Sequence, residues 1–129
     1  MLTHSKWLIR AAVVFSIVGA ILGSDMAGRK DYSLIPVHSH ILVVGWLSLY
    51  AYGIFYYVFP QPQKLKLAKV QAVLAIIGAL LLPVGMLLYN QSNNPLTTIL
   101  FIGGGSILLV GMFLFAFLVF FDKNLFSKK

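Results

Sequence analysis

A chain of 129 residues that is 60% hydrophobic and 10% charged, with a mean hydropathy of +0.91, is too apolar for a soluble domain of its size and fits one membrane-embedded domain. Cysteine is absent, which excludes disulfides, thiolate metal sites and iron–sulfur clusters. The net charge of +7 does not point to nucleic acid, because Lys and Arg gather at the ends of apolar runs, where membrane topology accounts for them.

Four apolar runs follow one another, at about 7–23, 37–59, 67–89 and 97–121. The first is interrupted by Arg10 and has a signal peptide as its alternative reading. No A-x-A-like cleavage site follows it, and Ala12, Ser16 and Ala20, with Gly19 and Gly23, form small-residue ridges suited to helix contact. The second opens with His38 and His40 and continues through Gly45, Trp46, Gly53 and a group of tyrosines, Tyr50, Tyr52, Tyr56 and Tyr57. In the third, Pro83 with Gly85 is expected to kink the helix just before Met86 and Tyr89. The fourth carries Gly103, Gly104 and Gly105, which permit close approach of a neighbouring helix or a flat cofactor. Each run can cross a ~30 Å hydrocarbon core at ~1.5 Å per residue. Continuous apolar runs of this length satisfy their backbone in lipid as helices, so the expected fold is an all-α membrane protein with four transmembrane helices.

Charge placement orients these helices. Lys6, Arg10, Lys64, Lys66, Lys69, Lys123, Lys128 and Lys129 fall on one side, whereas the other has only Arg29 and Lys30, offset by Asp25 and Asp31. Both termini are therefore expected in the cytoplasm, in a prokaryotic-type inner membrane. On that topology His38 and His40 lie at the outer end of the second helix. His4 lies at the inner end, roughly 30 Å away, and reads as an interfacial polar residue beside Trp7.

An ionisable side chain is costly inside a bilayer, so its default reading is functional. Residues i and i+2 on a helix point about 200° apart, and His38 and His40 cannot face one small pocket. Zinc hydrolysis would need three converging ligands and a general base, and the chain contains no Glu at all. Nucleophilic catalysis would need a buried acidic partner that Ser39 lacks. Copper remains an alternative, with Met86 or Met26 as soft ligands beside a histidine. Haem suits the pattern better, since a large flat macrocycle needs an axial imidazole among small residues and aromatics. Gly45 and Trp46 would line such a pocket, and Arg29 in the outer loop could pair with propionates.

His38-x-His40 followed by Gly45-Trp46, then Gly53, Tyr56 or Tyr57 and Pro60, resembles a helix of subunit I of the haem–copper oxidases, most closely the C-type oxidases and nitric oxide reductases. In that family the tenth helix carries a His-x-His pair whose members bind two different haems from opposite faces. Pro36-Val37-His38 and Tyr56-Tyr57-Val58 also resemble the second helix of the same subunit, which supplies a low-spin haem ligand at the position matching His38. The family fold is twelve helices in three arcs of four. The resemblance therefore implies that this chain forms one arc of the ring and assembles as a homotrimer. It further implies a haem b held between His38 of one protomer and His40 of its neighbour.

The resemblance has gaps. The family's copper site needs three further histidines that this chain does not place in its helices, and no Asp or Glu lies in the second, third or fourth run. Reduction of oxygen or nitric oxide is thus not implied. The expected function is electron transfer by a membrane b-type haem protein, with a quinol or soluble cytochrome as donor. The alternative is haem or copper binding for transport or oxidase assembly.

Overall fold

The computed structural model describes residues 3–59 and 64–127. Pro60, quoted above for the resemblance, and Lys128 and Lys129, counted in the charge balance, lie outside the described residues. The described chain is all-helical, with four helices long and apolar enough to cross a membrane: α1 (Thr3–Arg29), α2 (Ile35–Val58), α3 (Leu65–Gln91) and α4 (Pro95–Phe121). All four are longer at one or both ends than the apolar runs, because local hydrogen bonds carry each helix past its hydrophobic stretch.

Those end devices can be read residue by residue. Beyond α1, Lys30 takes the left-handed conformation with φ 54°, while its N–H reaches Ala27 O and that of Asp31 reaches Met26 O. That pattern closes a helix through its last orphan carbonyls, usually with glycine in the left-handed position. Asn94 caps α4 reciprocally with Thr97, and Pro95 occupies the first turn, where a missing N–H costs nothing. Asp122 ends α4 and reaches sideways: its Oδ2 accepts the Lys64 N–H at 3.0 Å, placing a carboxylate at the start of α3. The two ends of the α3–α4 pair are thereby tied together.

Helix α2 is not uniform. Immediately after His40 its backbone widens into π-helix over Ile41–Ser48, then returns to α-helix from Leu49. Ser48 Oγ donates to Val43 O, five residues back, at 2.8 Å. Such segments often mark functional positions, because the wider turn changes which way the following side chains face.

Packing joins the helices in two pairs. Helix α1 runs along α2, α3 and α4 form a tight antiparallel hairpin, and α3 meets both α1 and α2. Helices α1, α2 and α3 pack mutually, whereas α4 packs on α3 and meets α2 through Phe115, whose ring lies 4.6 Å from Tyr52 and 4.9 Å from Phe55. The hairpin closes to backbone contact because glycines face the partner. A Cβ on Gly78 would stand 2.7 Å from the backbone of Leu108, and one on Gly104 would stand 2.6 Å from that of Leu82. In lipid such small-residue contacts replace the hydrophobic drive that water would supply. Helix α3 runs unbroken through Pro83.

The main core gathers Leu8, Leu49, Tyr56, Leu118 and Leu125 around an alanine ladder on α3, Ala68, Ala72, Ala75 and Ala79. Most of these residues lie toward the end that carries the chain termini. Outward-facing side chains such as Val14, Ile21, Leu96, Phe113 and Phe120 remain exposed and apolar, as a lipid-facing surface requires.

Candidate functional site

The residues before α2 set the site. Pro36 sits in the first turn of α2, where its ring favours helix initiation, and Val37 is buried. His38 follows one position later, half-buried against α1. Its Nδ1–H donates to Gly19 O at 2.9 Å, since a carbonyl can only accept. The ring lies over Gly23, where an added Cβ would stand 2.7 Å from His38 Cε1. Gly19 and Gly23, one helical turn apart on α1, thus form the seat for one imidazole.

His40 turns elsewhere. Its Nδ1–H donates to Pro36 O, one turn back on its own helix, at 2.7 Å on the exposed side. Among the described residues no hydrogen bond holds either Nε2. With Nδ1 carrying the proton, each neutral imidazole keeps its Nε2 lone pair for a metal or another donor. Two histidines from one helix end therefore offer the same chemistry to two different surroundings.

The other expected site residues are placed as follows. Gly45 faces α1, and the room it leaves is taken by Phe15, whose ring would stand 2.5 Å from an added Cβ. Trp46 stacks on Tyr50 with ring centroids 5.1 Å apart. Arg29, at the end of α1, is held by Asp25 at 2.6 Å and approaches Asp31 at 3.7 Å. Asp31 keeps its carboxyl below the usual carboxylate range, first through the Ser33 backbone N–H and then through the Ser33 hydroxyl, with Arg29 adding a smaller share. Met86 is half-buried on α3, next to Gly85. Gly85 itself crosses the backbone of Phe101. Of the glycine triplet, Gly104 is taken up by the α3–α4 contact, whereas Gly103 faces open space. Among the described residues no three or more of His, Asp and Glu converge on one point.

A second polar cluster escaped the sequence reading. His4 shares a cavity wall with Trp7 but is buried, being 7% exposed, and meets the Tyr56 ring edge-on at 4.7 Å. Among the described residues neither of its ring nitrogens has a hydrogen-bond partner. Tyr56 donates to Gln71 Oε1 at 2.8 Å, and Ser5 Oγ donates to Gly53 O at 2.7 Å, both fully buried. A lone Gln inside an apolar run was the available signal, because a buried amide in lipid must find partners. Tyr56 lies 18 residues beyond His38 on α2, roughly 27 Å at 1.5 Å per residue. The two clusters therefore occupy opposite ends of the protein.

No family model matches the chain, and neither does any curated protein or solved structure.

Proposed function

We propose that this chain is a membrane b-type haem protein, in which His38 of one protomer and His40 of its neighbour hold one haem near the outer face. The carrying observation is the pair of Nδ1–H bonds to Gly19 O and Pro36 O, which fix both imidazoles in the tautomer that an iron centre takes as an axial ligand. Backbone acceptors of this kind orient the ring and raise its basicity. Because His38 engages α1 and His40 does not, one helix serves two environments, which a shared site demands. Among the described residues α1 and α4 do not pack on each other, which leaves a face of each for other protomers, in keeping with one arc of a haem–copper-oxidase-like ring closed as a homotrimer.

When bound, a bis-imidazole haem supplies one-electron transfer and has no vacant coordination position for a substrate gas. The protein's part is to hold two Nε2 atoms, to seat one ring on Gly19 and Gly23, and to present Arg29 and Lys30 at the same membrane face. The electron donor is proposed to be a quinol or a soluble cytochrome. The location is proposed to be a prokaryotic-type inner membrane with both termini cytoplasmic, in keeping with the basic residues at that end. A second reading, haem or copper handling during transport or oxidase assembly, draws support from the exposed bond of His40 and from Phe15 filling the space at Gly45. The two differ in whether cofactor survives purification and is reversibly reduced.

Single changes test the site. His38→Ala and His40→Ala should each abolish the Soret band, because a shared haem loses one ligand either way. Loss on one change alone would instead point to a five-coordinate site on that residue, and an unchanged spectrum on both would remove the proposal.

A further inference from the structure

Two cavities meet on the side of α1 and α3 away from α4. The larger, about 530 Å³, is a groove with almost wholly apolar walls, bounded by Val14 and Val18 on α1 and by Leu80 and Val84 on α3. The smaller, about 460 Å³, lies at the end carrying the termini and is lined by Thr3, His4 and Lys69 among others. Trp7 and Ile76 line both, so the two adjoin across these side chains. Arg10 also borders the groove and lies over the Trp7 ring at 5.5 Å. The combined shape is a long dry channel with a basic mouth.

Its dimensions and chemistry restrict the occupant. From Trp7 to Val18 the groove follows α1 for roughly 16 Å, about half of a ~30 Å hydrocarbon core. That suits a single acyl chain. At the mouth Lys69 lines the same cavity as a buried imidazole that has no hydrogen-bond partner among the described residues, and Arg10 stands further along α1 on the groove; an imidazole N–H needs an acceptor. An acceptor that also carries negative charge satisfies all three groups at once. Basic pockets between helices at a membrane face take lipid phosphates for this reason.

We propose that the channel binds one anionic phospholipid of the leaflet at the basic end. One acyl chain lies between α1 and α3, and the phosphate sits at Lys69 and His4, with Arg10 reaching toward it past Trp7. The headgroup end of the site lies at the opposite end of the helices from His38 and His40, whereas the far end of the groove reaches Val37 and Ile41 beside them.

The test uses the full chain purified in detergent with equal amounts of phosphatidylglycerol and phosphatidylcholine of identical acyl chains. Native mass spectrometry reads the lipid retained per chain. Phosphatidylglycerol should be retained in preference, and Lys69→Ala or Arg10→Ala should each lower that preference about fivefold, the effect expected of one basic residue at a membrane surface. Val14→Trp, at a position 60% exposed, should fill the groove and remove retained lipid of both kinds while helix content by circular dichroism stays unchanged. Equal retention of the two lipids, or a preference unchanged in both charge variants, would overturn the proposal, as would preferential capture of an added isoprenoid quinone. If Val14→Trp loses helix content, the charge variants decide.

Discussion

Nδ1 of His38 donates to the carbonyl oxygen of Gly19 at 2.9 Å, and the ring rests over Gly23 one turn further along α1. The bond couples the first histidine of the pair to a neighbouring helix, so the small residues of α1 do more than let two helices approach. Adding a side chain at Gly23 would drive a Cβ to within 2.7 Å of His38 Cε1 and push the imidazole off its seat. Gly23→Val should therefore cost about 1–3 kcal/mol of stability through overpacking and should deplete bound haem. Gly28→Ala is the matched control, because nothing lies within 4 Å of its added Cβ. Unfolding midpoints and haem content of the two variants check this.

The α3–α4 hairpin depends on backbone contact at Gly78 and Gly104. An added side chain there meets main chain, which cannot rotate away, so Gly78→Val or Gly104→Val should each destabilise the protein by about 1–3 kcal/mol. Gly103→Ala should be close to neutral, since its added Cβ meets nothing. Detergent-denaturation midpoints across the three variants separate a packing role from a cofactor role for the triplet.

Tyr56 and Gln71 share a buried hydrogen bond, and Gln71 Nε2 already lacks a partner. Tyr56→Phe strands the Gln71 carbonyl as well and should cost about 1–3 kcal/mol, the penalty of an unsatisfied buried acceptor. Gln71→Leu in the same chain should recover much of that loss, because removing both partners leaves nothing unpaired. A double-mutant cycle on unfolding free energy reads the coupling, and purely additive losses would show that the pair does not act as one unit.

Lys30 holds a left-handed backbone that costs a residue with a Cβ about 1–2 kcal/mol. Lys30→Gly should therefore raise stability by up to about 1 kcal/mol, the gain being trimmed by glycine's extra freedom in the unfolded chain. A thermal melt beside the unaltered protein checks the sign.

The four helices were legible because nothing but an apolar run reports a membrane span so directly. Their ends were less so. The helical course of α1 over residues 3–6 cannot be read from hydropathy, since it follows from the burial of His4 and Ser5. The divergence of His38 and His40 followed from helical geometry alone, but their acceptors did not. Gly19 O lies on another helix, and no local pattern announces it. The π segment after His40 was equally hidden, since Ile41–Ser48 is apolar nearly throughout and gives no period to measure. Gly45 read as a possible cofactor surface, and its contact with Phe15, set by how α1 docks, was not legible. The burial of His4 was hidden for the same reason: it comes with contact to Tyr56, which is 52 positions away in the chain.

The central proposal stands or falls on one preparation. The full chain, purified in detergent, is measured for its reduced-minus-oxidised optical spectrum, its haem per chain and its mass in solution. The expected result is a six-coordinate low-spin b-type spectrum with one haem per chain in a trimer. A colourless protein, or a monomer that keeps its full haem, would contradict it.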